Sequence, residues 1–87
     1  MVCLNVLYHI GETYRRLGLY KESLSYFNRA ISLDKNDYFP YLGKALIYHV
    51  AGDRRKCLEN IQRAEEFSQD SERNQLEVKI YKEIFGF

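Results

Sequence analysis

Net charge is nearly absent from this chain: 13 Lys and Arg stand against 12 Asp and Glu, leaving a formal +1. That balance provides no bulk field to gather nucleic acid or an anionic membrane, so neither is an expected partner. Long apolar runs are missing as well, and none approaches the ~20 residues that a membrane-spanning helix needs. The opening MVCLNVLYHIGE is apolar but lacks a basic leader, and Asn5, His9 and Glu12 interrupt it. It reads as an amphipathic helix and not as a signal peptide. Cysteine is sparse: Cys3 and Cys57 follow neither metal-ligand nor redox spacing, and both are expected as reduced thiols in a cytoplasmic setting.

Catalytic motifs are equally scarce. There is no paired-carboxylate signature, no nucleophile–base arrangement and no glycine loop able to cradle a phosphate. His9 and His49 are the only histidines, and each reads as a partly exposed helix residue in preference to a general base or a metal ligand. No enzyme activity, cofactor or metal is expected. The basic run Arg54-Arg55-Lys56 opens a helix against the dipole preference. A solvated run partnered by Asp53 and Glu59 is the favoured reading, ahead of a phosphate or acidic-partner contact.

Strict apolar–polar alternation, the mark of a half-buried strand, is missing, whereas helical spacing is found throughout. The pattern predicts helices over about Val2–Leu17, Lys21–Leu33, Tyr38–Ala51, Arg54–Phe67 and Glu72–Phe85. Leu4, Leu7, Ile10, Tyr14 and Leu17 give the first its apolar stripe; Leu24, Phe27, Ala30 and Ile31 serve the second. Leu58, Ile61 and Ala64 face inward on the fourth, and Leu76, Ile80 and Ile84 form the stripe of the fifth, widened by Val78, Tyr81 and Phe85. Gly18 and Gly52 close helices, Asp37 and Asp53 are candidate N-caps, and Pro40 fits a first turn, where its missing amide is harmless. With 87 residues, the chain has room for one core and one domain, 1–87.

The chain also half-repeats itself. Gly11–Leu33 and Ala45–Phe67 match at Tyr14/Tyr48, Gly18/Gly52, Leu24/Leu58, Arg29/Arg63 and Ala30/Ala64. The offset of about 34 residues is the period of a helix–turn–helix unit that must stack on a neighbour to bury its apolar face. In the first unit, Leu7, Ile10-Gly11, Tyr14, Gly18, Tyr20, Leu24, Phe27 and Ala30 occupy signature positions of the tetratricopeptide repeat, with Ser23 in the small slot. Tyr41, Ala45, Tyr48, Gly52, Cys57, Leu58, Ile61 and Ala64 do so in the second. The chain therefore resembles that family. It departs from the pattern at Lys35 and Gln69, where proline is usual, at Lys44 (usually apolar) and at Arg54 (usually aromatic).

The resemblance implies an all-α, right-handed α–α superhelix of about five antiparallel helices. Repeat one would span about 4–37, repeat two about 38–71, and a capping helix about 72–85. It also implies a protein-interaction module whose first helices line a concave groove. That groove would carry Asn5, Tyr8, Glu12, Arg15 and Arg16, then Phe39, Leu42, Leu46, His49 and Val50, with Arg73 and Leu76 from the last helix. The partner-binding residues expected are Tyr8, Glu12, Arg16, Phe39, Leu42, Leu46 and His49. The family's dicarboxylate clamp is not expected, because its slots hold Tyr8, Glu12, Gly43, Arg73 and Glu77, and fixed cations are needed there. What is left suits a peptide or an amphipathic helix of a protein partner, bound by burial with charges at the rim. Such an apolar stripe is as often core, and the last helix can fold over it. The alternatives are self-association into a homo-oligomer and a place within a longer array of repeats.

Overall fold

The computed structural model describes residues 4–87, with side chains from Val6 onward. Five helices follow one another: α1 (Leu4–Arg16), α2 (Tyr20–Leu33), α3 (Phe39–Ala51), α4 (Arg54–Glu66) and α5 (Glu72–Phe85). No strand is present among the described residues, and no described helix is long and apolar enough to cross a membrane. Val2 and Cys3 lie outside the described residues. α1 packs along α2 and α3 along α4; α3 rests on α1 and α2, and α5 rests on α3 and α4.

Glycine sets the corners. Gly18, Gly52 and Gly86 have φ of 78°, 80° and 81°, a left-handed conformation that costs a side-chain-bearing residue roughly 1 kcal/mol or more. At each corner the next residue's amide reaches five residues back: Leu19 to Tyr14 (2.9 Å), Asp53 to Tyr48 (2.9 Å) and Phe87 to Lys82 (2.8 Å). These bonds satisfy carbonyls that the ending helix leaves free. The three glycines keep the spacing of the repeat, so α5 continues the register of α1 and α3.

At the other helix ends, Asp53 Oδ1 accepts from the Lys56 amide at 3.1 Å, and Ser71 Oγ from the Asn74 amide at 3.3 Å. Asp37 acts one position earlier than a conventional cap. Its Oδ1 accepts from the Phe39 amide at 3.1 Å, while Tyr38 precedes the helix and Pro40 lies buried in its first turn.

The centre of the first junction is Phe27, whose side chain is fully buried. Its ring lies against Gly11 of α1 and Gly43 of α3: a methyl group on Gly11 would sit 2.9 Å from Phe27 Cε1, and one on Gly43 would collide with Cζ. Ser23, in the small slot of α2, donates its hydroxyl to the Gly11 carbonyl at 2.7 Å. The second junction is built from Tyr38, Leu42, Ala45, Cys57, Ile61, Ala64, Val78 and Phe85.

Two sequence expectations reverse. Leu17 is 67% exposed, and on α5 it is Val78 and Phe85 that are buried, while Leu76, Ile80 and Ile84 are 58%, 49% and 59% exposed. A short helix with apolar residues over most of its girth can bury only the flank its neighbours meet. On α5 that flank is Val78 and Phe85, and beside it the Tyr38 hydroxyl donates toward Asn74 Oδ1 at 2.9 Å and Glu77 Oε2 at 3.2 Å.

Replacing Gly43 by Ala should lower stability by about 1–3 kcal/mol through overpacking against Phe27, read as a fall in Tm by circular dichroism. Gly43→Ala combined with Phe27→Leu should recover part of that loss. Cys57 is buried, and desolvation raises its thiol pKa, which suppresses the reactive thiolate. Alkylation followed by peptide mass mapping should therefore label position 57 only when denaturant is added.

Candidate functional site

The expected site residues lie on α1 and α3, beside α5, and meet different fates there. Tyr8 is half-buried, with its ring 5.2 Å from Phe39 and 5.9 Å from Phe27. Burial, and then the neighbouring Glu12 carboxylate, raises the Tyr8 pKa, so the phenol stays neutral. Glu12 is held in a two-point contact by Arg15, at 2.9 Å to Nε and 3.0 Å to Nη2. The same hydrogen bond is the largest cause of a raised Arg15 pKa, so the guanidinium keeps its charge. Arg16 is exposed and forms no salt bridge among the described residues. Phe39 is 36% exposed, wedged between Tyr8 and Tyr38.

On α3 the expected stripe splits. Leu42 is 3% exposed and belongs to the core with Val78 and Phe85, because α5 has folded across it. It has no surface left for a guest, which removes it from the groove. Leu46 is partly buried against the same cluster. His49 is exposed, its ring 4.7 Å from that of Phe85, which puts it at the seam between α3 and α5. Val50, one residue on, is 62% exposed.

α5 contributes more than the sequence reading assigned to it. Glu77 and Tyr81 extend toward α1: both raise the Tyr8 pKa, and Glu12 in turn raises that of Tyr81 after burial and Glu77. Three phenols (Tyr8, Tyr38 and Tyr81) thus share the centre with Glu12, Glu77 and Arg15, and burial raises the pKa of each phenol first. Arg15 answers Glu12, whereas Glu77 forms no salt bridge among the described residues. Leu76, Ile80 and Ile84 stand on the flank of α5 next to Glu77, in the repeat positions held on α3 by Leu42, Leu46 and Val50. Extending the 34-residue register into the last helix finds Ile80 and Ile84; Tyr38 and Tyr81 carry no comparable sequence signal.

The basic run at the start of α4 is exposed, as expected, and each of its side chains has a neighbour within the chain. The Arg54 guanidinium lies 4.6 Å from the Phe87 ring centroid and donates to the Phe85 carbonyl at 3.2 Å. Arg55 pairs with Glu59 at 3.6 Å, and Lys56 Nζ is 5.4 Å from the Tyr48 ring. Lys44, in a slot usually apolar, carries its ammonium to Asn28 Oδ1 at 2.9 Å, and burial lowers its pKa. Among the described residues no group of three or more His, Cys, Asp or Glu side chains gathers to hold a metal. The side chains on the concave side can bury apolar surface and accept or donate hydrogen bonds, which is the chemistry of binding.

The family model of the tetratricopeptide repeat matches residues 2–77, running through both hairpins and into α5. No curated protein and no solved structure matches the chain. Repeats of this family are generally non-catalytic and serve as protein-interaction or scaffold modules. A match of that extent, on five helices that keep one packing register, places the chain in the tetratricopeptide repeat family, with the fold of a helical-repeat solenoid.

Proposed function

We propose that the concave side of α1, α3 and α5 binds an amphipathic helix or extended segment of a protein partner, without a dicarboxylate clamp. One observation carries this reading. Val50, Leu76, Ile80 and Ile84, each about half exposed or more, make an apolar wall beside the polar centre of Tyr8, Glu12 and Tyr81. Apolar surface grouped in this way marks an interaction site more often than scattered exposed residues do. The guest's apolar side chains would lie on that wall and on Phe39, with Leu46 and His49 below. Its polar side would meet Arg16 and the phenols of Tyr8 and Tyr81. A basic residue of the guest is favoured near Glu77, the carboxylate left without a cation.

Within the same reading, residues 4–37 and 38–71 are the two repeats and 72–85 a capping helix. The flank of α5 that the second helix of a further unit would meet carries Gln75, Lys79, Lys82 and Glu83, whereas Leu76 and Ile80 hold the positions that α5 itself covers on α3. Lys79 stands in the slot held by Gly11 and Ala45, and Lys82 Nζ bonds Glu65 Oε2 at 2.8 Å. Close approach of another helix there would strand a lysine, which is costly unless the charge finds a partner.

Selecting helical peptides from a random display library and measuring their affinity by fluorescence anisotropy tests the proposal. Ile80→Glu and Ile84→Glu, on exposed positions, should leave Tm nearly unchanged yet weaken selected peptides tenfold or more. Glu77→Gln should weaken chiefly peptides with a central Lys or Arg, and added salt should mask its effect. Binding equal to wild type in both isoleucine variants would sink the proposal.

A further inference from the structure

We infer that the hollow between α2, α3 and α4 binds a short acidic segment of a protein partner, with Lys44 and Lys56 taking its carboxylates. The hollow measures about 910 Å³ and lies on the flank of α3 that carries Tyr41, Lys44 and Tyr48. Leu46 and His49 stand on another flank of that helix, so this surface is separate from the one proposed above. None of the five clamp positions lines it. Lys44 and Lys56 both do, and neither forms an ion pair among the described residues. The two carboxylates on its rim, in contrast, are engaged: Glu59 with Arg55 at 3.6 Å and Glu66 with Arg63 at 3.8 Å. Lys44 Nζ donates to the neutral Asn28 Oδ1 at 2.9 Å, and Lys56 Nζ lies over the Tyr48 ring, 5.4 Å from its centroid.

The repeat itself shows what is unusual here. The hollow has a counterpart one period later, where Glu65, Gln75 and Lys82 stand in the positions of Ile31, Tyr41 and Tyr48. There the cation is answered within the chain, because Lys82 Nζ meets Glu65 Oε2 at 2.8 Å. In the first hollow, Ile31 holds the position of that carboxylate and leaves the cations unanswered. Lys44 itself stands where α5 has Val78, which is 1% exposed. A lysine is thus set half-buried in an apolar slot, where burial lowers its pKa. Desolvating a cation is costly until it is paired, and a carboxylate entering the hollow would offset that cost through charge-assisted hydrogen bonds. The rim limits what can enter. A polyanion would meet Glu59 and Glu66 as well, and a net charge of +1 does not gather one. A segment with two carboxylates matches the two ammonium groups, while Ile31 and the rings of Tyr41 and Tyr48 offer it apolar contact.

Titrating the intact, isotope-labelled chain with the capped peptide Ala-Glu-Ala-Glu-Ala, followed by amide NMR at constant ionic strength, tests this. Saturable shifts are expected at Asn28, Lys44, Tyr48 and Lys56, and the neutral Ala-Gln-Ala-Gln-Ala should give none. Lys44→Met, an apolar side chain in an apolar slot, should leave Tm unchanged or raise it yet weaken the acidic peptide about tenfold or more. Lys56→Gln should weaken it too. Lys79→Gln, which removes the same charge from α5, and Ile80→Glu should bind the peptide as wild type does, and inorganic phosphate should bind more weakly than the peptide. Equal binding of the two peptides, or wild-type binding by Lys44→Met, would overturn the inference. So would phosphate binding as tightly as the peptide, which would mark an adventitious ion only. A loss in Lys79→Gln equal to that in Lys44→Met, or shifts confined to α1 and α5, would overturn it as well.

Discussion

Phe27 is pressed between two helices that have no side chain where they meet it. Glycine in a helix interior costs about 1 kcal/mol relative to alanine, so Gly11 and Gly43 together cost about 2 kcal/mol. Burying a phenylalanine completely is worth about 1.5–3 kcal/mol. The ring's own transfer therefore little more than offsets the glycines. The net gain lies in what the close approach allows: Leu7 of α1, Ala30 of α2 and Ile47 of α3 are buried as well. The first junction rests on this unequal pairing, with a large ring on one helix meeting bare backbone on two others.

The second junction solves the same problem with smaller parts. Ile61 takes the place of Phe27, Ala45 that of Gly11, and Glu77 that of Gly43. With a carboxylate in that slot, α5 is aligned by polar contacts around its buried line of Val78 and Phe85. These are Tyr38 to Asn74 and Glu77, Lys82 to Glu65, and Arg54 over Phe87. That alignment closes α5 over Leu42 and turns Leu76, Ile80 and Ile84 outward. The side chains that α5 presents are set by its rotation, which the burial of Val78 and Phe85 and these polar contacts determine together.

The helices and corners were legible in the sequence because they rest on local rules: a glycine free to take positive φ, an aspartate able to cap, apolar residues at helical spacing. The repeat register was legible because Gly11, Ala30, Ala45 and Ala64 must be small wherever helices cross. Gly43 could be read only as a clamp slot, since its reason is a ring sixteen residues earlier. The inward flank of α5 was misread for a related reason. Six apolar residues over fourteen positions leave its rotation undetermined, and the Tyr38 hydroxyl that helps to decide it is thirty-six residues from Asn74. Leu42 and Val50 show the same limit within one stripe: both are apolar and suitably spaced, yet only one is reached by α5.

The slots that make the interior nest change character at the two outer helices. The position occupied by Gly43 holds His9 on α1, and the position of Gly11 and Ala45 holds Lys79 on α5. In both cases a small residue has become a large polar one, so a Phe27-sized ring cannot be received on α1 as it is on α3, and a helix packed on the Lys79 flank of α5 would have to displace a charge. The two blocks are not equivalent. Lysine is strongly hydrated and repels an apolar surface at any distance where water must leave. Histidine fills a hollow but leaves the neighbouring Val6, Ile10 and Leu17 apolar. The same substitution of large for small therefore charges the Lys79 flank of α5 and leaves apolar surface beside His9 on α1.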